Sequence, residues 1–175
     1  MKYNQALVIA TEWMRKLQPF CDRIAIAGSI RREKPEVKDI ELVCIPKIIE
    51  TPTLFGATVG RHPEFVSALS PNDEFMIEKG DPREGKYFKL WLIGPSISID
   101  IFTTVAENWG HILAIRTGSA DYSHHVLANG WVRAGYHSEH GHLMLGEKRV
   151  IIREEDQLFN IIGVPYTEPK NRVWP

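Results

Sequence analysis

The chain has 175 residues, 43% hydrophobic and 25% charged, with a formal net charge of −1. This composition suits an ordinary globular protein of one domain or two small ones. It argues against a membrane protein, because no apolar run reaches the roughly 18 residues that a spanning helix needs. It also argues against a uniformly basic nucleic-acid binder, so any affinity for DNA must come from local patches. No signal peptide opens the chain, and Cys21 and Cys44 both lie in apolar surroundings. We therefore expect an intracellular protein, cytoplasmic or in another reducing compartment and not secreted, with both thiols free.

Residues 4–17 carry Leu7, Val8, Trp13, Met14 and Leu17 at roughly helical spacing, and Pro19 closes that helix. Residues 24–27 read as a strand running into Gly28-Ser29, and Arg31-Arg32 follow in a loop. A second strand carries Asp39-Ile40-Glu41 into Leu42-Val43-Cys44-Ile45. Residues 46–62, rich in Pro, Thr and Gly, predict a loop or hairpin insertion, and residues 62–69 a short helix. Strands are expected at 74–79 and 87–93 around Gly80-Asp81-Pro82, and again around Asp100. Thr103 is placed to cap a helix reaching residue 115, with Glu107 early and Arg116 late, as the helix dipole prefers. Residues 119–134 read as a helix stopped by Gly135, residues 136–152 as a small hairpin, and residues 153–163 as a last helix. Pro165, Pro169 and Pro175 punctuate an extended tail. The domain boundary is expected between residues 104 and 118.

The chemistry concentrates in three acids. Asp39 and Glu41 are separated by one residue, so on a strand they share a face. Asp100 lies in a second alternating run, Ser98-Ile99-Asp100-Ile101-Phe102. If the two strands are neighbours, roughly 5 Å apart, all three carboxylates can converge. Three acids on one face repel unless a cation lies between them, and a hard ion such as Mg2+ suits oxygen donors. An isolated Asp-x-Glu is an ordinary surface feature. Here it follows Gly28-Ser29, whose hydroxyl and amides suit a phosphate, and two arginines suited to triphosphate oxygens. The reading is metal-assisted phosphoryl or nucleotidyl transfer.

Three blocks carry a resemblance to a known family. They are Gly28-Ser29-Ile30-Arg31-Arg32 with Asp39-Ile40-Glu41, then Ser98-Ile99-Asp100-Ile101, then Thr117-Gly118-Ser119-Ala120 with Gly130, Gly135 and the stretch from Glu155 to Arg172. Together they resemble the polymerase X family of polymerase-β-like nucleotidyltransferases. The resemblance implies an α/β (α+β) fold, with a mixed-sheet palm at 1–105 and a small α/β thumb at 106–175. It implies template-directed addition of a dNTP to a primer 3′-hydroxyl, as in short-gap filling during DNA repair. Asp39, Glu41 and Asp100 would hold two Mg2+ ions about 3.5–4 Å apart, with Mn2+ able to substitute. Gly28, Ser29 and Arg32 would hold the triphosphate, and Gly118 with Ser119 would meet sugar and base. The implied partners are a primer–template or gapped duplex and a dNTP, with no membrane, and the protein is expected as a monomer.

The chain departs from the family pattern in places. Glu41 stands where Asp is usual, so metal preference is open. Ile115-Arg116 replaces the usual aromatic pair before Thr117, which makes ribonucleotide use a fair hypothesis. Ser98 stands where many relatives carry Arg. The palm motifs begin within the first thirty residues, so we expect a minimal palm-plus-thumb enzyme resembling those that viruses encode, with no lyase or DNA-clamping domain ahead of it. His124 and the basic set including Lys148 and Arg172 are the candidate DNA contacts. Two alternatives stay open: a template-independent nucleotidyltransferase acting on RNA ends or a protein side chain, and a non-catalytic nucleic-acid-binding module.

Overall fold

The computed structural model describes residues 1–53 and 56–174; residues 54, 55 and 175, the last among the tail prolines, lie outside the description. The chain packs as two compact units, Met1–Ile26 with Pro35–Thr104, and Ala27–Lys34 with Val105–Pro175. Packing thus divides the chain after Thr104 and also assigns eight residues from the middle of the first unit's sequence to the second.

The first unit opens with helix α1 (Tyr3–Leu17), followed by strand β1 (Cys21–Ile26). The chain then leaves through helix α2 (Gly28–Arg31), a single turn where the sequence reading placed a loop. It returns as β2 (Asp39–Pro46), the β3–β4 hairpin (Ile48–Thr53 and Gly56–Arg61), helix α3 (Pro63–Ala68), β5 (Phe75–Lys79), β6 (Tyr87–Leu92) and β7 (Ile97–Thr103). Five strands form one mixed sheet in the order β1-β2-β7-β6-β5. The β2/β7 pair is parallel and its other pairs are antiparallel. The β3–β4 hairpin stands as its own two-stranded sheet.

Alternation decides the two faces of the five-stranded sheet. Ile40 and Leu42, Ile99 and Ile101, and Phe88 and Leu90 are fully buried on one face, each side chain stabilising the fold by roughly 1.5–3 kcal/mol. The residues between them, Asp39, Glu41, Asp100, Tyr87, Lys89 and Trp91, are half-buried on the other. Helix α1 covers the sheet with Ala6, Ala10, Trp13 and Leu17, whereas Val8 is 58% exposed. The larger apolar side chains at 7 and 8 thus did not define the packed stripe: alanines bring the helix backbone close to β1 and β2, and Trp13 closes edge-on against Phe75.

In the second unit a 3-10 turn (Ala106–Asn108) leads into α4 (Trp109–Thr117). The helix expected from Thr103 therefore begins six residues later, because Thr103 is the last residue of β7. Next come α5 (Ala120–Tyr122), a π-wound stretch (Ser123–Ala128) and α6 (Asn129–Arg133), one run of helix broken in pitch. Gly135 stops it in the left-handed region at φ 85°. The expected hairpin is a three-stranded sheet of β8 (His137–Glu139), β9 (His142–Leu145) and β10 (Lys148–Arg149). Helix α7 (Glu155–Ile161) starts from a capping box in which Gln157 Oε1 accepts from the Arg153 and Glu154 amides at 2.7 and 3.2 Å. Tyr122, Leu127, Trp131, Leu143, Ile152, Leu158, Phe159 and Ile162 close the core of this unit. Among the described residues no helix is long and apolar enough to cross a membrane.

Candidate active site

The carboxylates sit on the half-buried face of the first unit's sheet. In the parallel β2/β7 pair Glu41 is the register partner of Asp100, and Asp39 pairs with Ser98. Asp39 and Glu41 share a face, so all three acids lie on it, with Glu41 and Asp100 directly opposed. On the far side of β7, Lys89 is the register partner of Asp100 and lies 3.9 Å from Glu78 Oε2. Tyr87, one row along on β6, donates its hydroxyl to Asp100 Oδ1 at 3.1 Å. The Tyr87 ring is itself fixed by stacking on Phe102, with centroids 5.0 Å apart. Opposed like charges across a strand pair are destabilising without a countercharge. The face is therefore half-buried and carries three acids, with Lys89 as the countercharge opposite Asp100.

The second unit holds the Gly28–Arg32 segment. Ala27 is extended and Gly28 takes φ 61°, a turn that suits a residue without a Cβ and starts the single turn of α2. Among the described residues no hydrogen-bond partner meets the buried Ser29 Oγ. A buried hydroxyl without a protein partner costs on the order of 1–3 kcal/mol, and an anion oxygen would satisfy it. Arg32 donates from Nη1 to the Thr117 carbonyl at 2.6 Å, so this guanidinium is anchored at one corner. Arg31 does not face outward: it donates to Thr117 Oγ1 at 2.6 Å and bidentately to Glu155 at 2.8 and 2.7 Å.

The remaining predicted residues divide. Gly118 ends α4, and a Cβ on it would come within 2.5 Å of Ser123 Oγ and 3.0 Å of Tyr122 Cδ1, so the turn admits only glycine without displacement. Ser119 caps α5, its Oγ accepting from the Tyr122 amide at 3.1 Å, while its own amide bonds the Arg172 carbonyl. Lys148 is exposed on β10. His124 is exposed on the π-wound stretch, edge-on to His125, which stacks on Trp174 at 5.0 Å. Trp174 is 48% exposed and so is not the core residue its type suggests.

Arg172 corrects the sequence reading. Expected on the duplex-facing surface, it is completely buried, donating to Glu155 through Nη1 and to the Thr167 carbonyl through Nε at 2.8 Å. Its guanidinium lies over the rings of Phe159 and Tyr166, 5.0 and 5.2 Å from their centroids. Two residues gained weight only from the structure, Tyr87 and Glu155. Tyr87 begins a strand whose alternation was legible, and the two-residue offset toward Asp100 follows once β6 and β7 are paired. Glu155 opens the last stretch of the resemblance, but no local pattern pairs it with Arg31.

The acids fit a hard cation in donor chemistry, since all three are oxygen ligands on one half-buried face. Among the described residues no three His, Cys, Asp or Glu side chains stand grouped to hold a metal ion, so the carboxylates must turn toward one another to take one.

No family model and no curated protein matches the sequence. Solved structures do. Polymerase beta of Leishmania infantum in a ternary P/T complex aligns over 98% of this chain and 76% of that one, with a TM-score of 0.68 and 17% identity. The Leishmania infantum polymerase beta ternary gap complex aligns over 98% and 70%, with a TM-score of 0.70 and 16% identity. At such identities the likeness is one of fold, and it spans both units. The chain has the fold of DNA polymerase beta, the polymerase X fold that its motifs resemble.

Proposed function

We propose that the chain is a template-directed DNA polymerase of the X type, a nucleotidyltransferase that fills short gaps in DNA. The observation that supports this most is the register of β2 on β7, which opposes Glu41 to Asp100 and keeps Asp39 on the same face, in a chain with the polymerase beta fold. The primer 3′-oxygen would bond to the α-phosphorus of a dNTP as pyrophosphate leaves, the hydroxyl proton passing to water. Asp39, Glu41 and Asp100 would hold two Mg2+ ions, with Mn2+ able to substitute. When bound, such ions supply charge neutralisation on the phosphates and acidify the attacking hydroxyl.

The other steps fall to the chain's own groups. Tyr87 donates to Asp100 Oδ1 and so orients that carboxylate. Ser29 Oγ is a donor for a triphosphate oxygen, and the left-handed Gly28 lets the backbone approach it. Arg32, anchored on Thr117, adds a guanidinium of fixed direction. Gly118 would meet the sugar and base through its backbone, since the place of its missing Cβ is taken by Ser123 and Tyr122. Ile115, standing where an aromatic pair is usual, is half-buried against the core of the second unit, which weakens the barrier to a ribose.

The test is single-nucleotide incorporation with Mg2+ on a one-nucleotide-gapped duplex and on an unpaired primer, with dNTPs and NTPs. Template-matched addition to the gapped duplex is expected, with ribonucleotides accepted within about a hundredfold of dNTPs. Addition to both substrates regardless of template would make the protein a terminal transferase, and no addition would remove the polymerase reading.

A further inference from the structure

Glu155, the first residue of α7, is buried at 7% exposure, yet its single carboxylate serves two guanidiniums. Arg31 meets it as a fork, Nη1 to Oε1 and Nη2 to Oε2, and Arg172 Nη1 shares Oε1. Tyr166 adds its hydroxyl at 3.4 Å from Oε2. Burial pushes the Glu155 pKa up, but the hydrogen bonds from Arg31 and Arg172 outweigh it, and the net shift is downward. The group is thus a carboxylate at neutral pH.

Such a triad contributes little to stability compared with apolar packing of similar volume, since desolvating three charges offsets most of their attraction. What it supplies is geometry. Arg31 closes α2, a helix of four residues, too short to persist alone. The same Nη1 that binds Glu155 donates to Thr117 Oγ1, and Arg32 donates to the Thr117 carbonyl, one residue before Gly118. One carboxylate therefore ties together two short segments, 28–32 and 117–118, that are far apart in sequence. Residues 27–34 pack with the second unit, the unit that holds Glu155.

We propose that Glu155 is a positioning residue for the incoming nucleotide: through Arg31 and Thr117 it fixes the Gly28–Ser29 turn and the Gly118 turn as one rigid piece. This rests on the polymerase reading, in which both turns meet the dNTP. It makes Arg31 a structural clasp and leaves Ser29 and Arg32 as the phosphate donors.

The experiment combines amide hydrogen exchange with steady-state incorporation for Glu155→Gln and for Arg31→Lys, which keeps the charge but loses the fork. Leu143→Ala, a core truncation in the same unit, serves as the stability control. We expect both clasp variants to raise the KM for dNTP about tenfold with kcat within about threefold. The amides of Arg31, Arg32, Lys34 and Gly118, which bond carbonyls at 27, 28, 29 and 114, should lose protection together. The control should lower thermal stability without moving KM. An active enzyme whose clasp variants change only stability, with wild-type KM and exchange, overturns the proposal. A wild-type protein that incorporates nothing overturns the polymerase reading and the nucleotide part of this proposal together, and exchange then decides the clasp by itself.

Discussion

His111 is wholly buried on α4, edge-on to Trp131 at 5.2 Å. Its Nδ1 lies 3.2 Å from Asn108 Oδ1, and Asn108 in turn donates to the Gly141 carbonyl at 2.7 Å. Burial pushes the His111 pKa down to about 4, from 6.5. Because the folded value is the lower one, protons favour the unfolded chain: stability is full above pH 6.5 and falls as pH drops toward 4. Between pH 7 and 5 the loss should be about 2 kcal/mol, and His111→Gln should flatten it in urea titrations at the two pH values. Tyr87→Phe removes one hydrogen bond to Asp100 and should lower kcat about tenfold while leaving the KM for dNTP close to wild type. At this scale the carboxylates were legible in the sequence, because a period of two puts Asp39 and Glu41 on one face wherever the strand pairs. The arginines were not. Whether a guanidinium meets a phosphate or a buried Glu155 depends on a partner 124 residues away for Arg31 and 17 away for Arg172, which no local pattern encodes.

Elements meet most closely where Gly110 passes the segment leading into α7. A Cβ there would lie 2.2 Å from the Glu154 carbonyl carbon and 2.3 Å from its oxygen, and the Gly110 amide donates to the Ile152 carbonyl at 2.9 Å. Backbone cannot yield as a flexible side chain does. Gly110→Ala should therefore destabilise the protein by about 2–3 kcal/mol in chemical denaturation, despite the better helix propensity of alanine. The strands were readable from alternation bounded by Gly and Pro, since β5, β6 and β7 all fall where the pattern places them. Helix starts were less so. Thr103 has the chemistry of a cap, but its hydroxyl donates to the Gly85 carbonyl at 3.0 Å and accepts from Arg61 at 2.9 Å, holding it in the sheet. The π-wound stretch at Ser123–Ala128 shows only as the five-residue step from Tyr122 to Leu127, where an α-helical stripe would step by three or four.

Across the whole molecule, the resemblance implied a mixed-sheet palm followed by a small α/β thumb, and the similarity to the polymerase beta fold extends over 98% of the chain. The packing of residues 27–34 with the second unit could not be read from the sequence, because its ties, Arg31 to Glu155 and Arg32 to Thr117, join residues far apart in the chain. In the proposed function the sheet face bearing Asp39, Glu41 and Asp100 makes a metal-dependent nucleotidyltransferase of this fold. This role is tested most directly by following incorporation of one template-matched dNTP into a gapped duplex with Mg2+, comparing wild type with Asp39→Asn, Glu41→Gln and Asp100→Asn. Wild-type addition that ceases with EDTA, and a fall of about a thousandfold or more in each folded variant, is the expected result. Addition that survives any of the three substitutions at the wild-type rate, or a wild type that adds nothing, would contradict it.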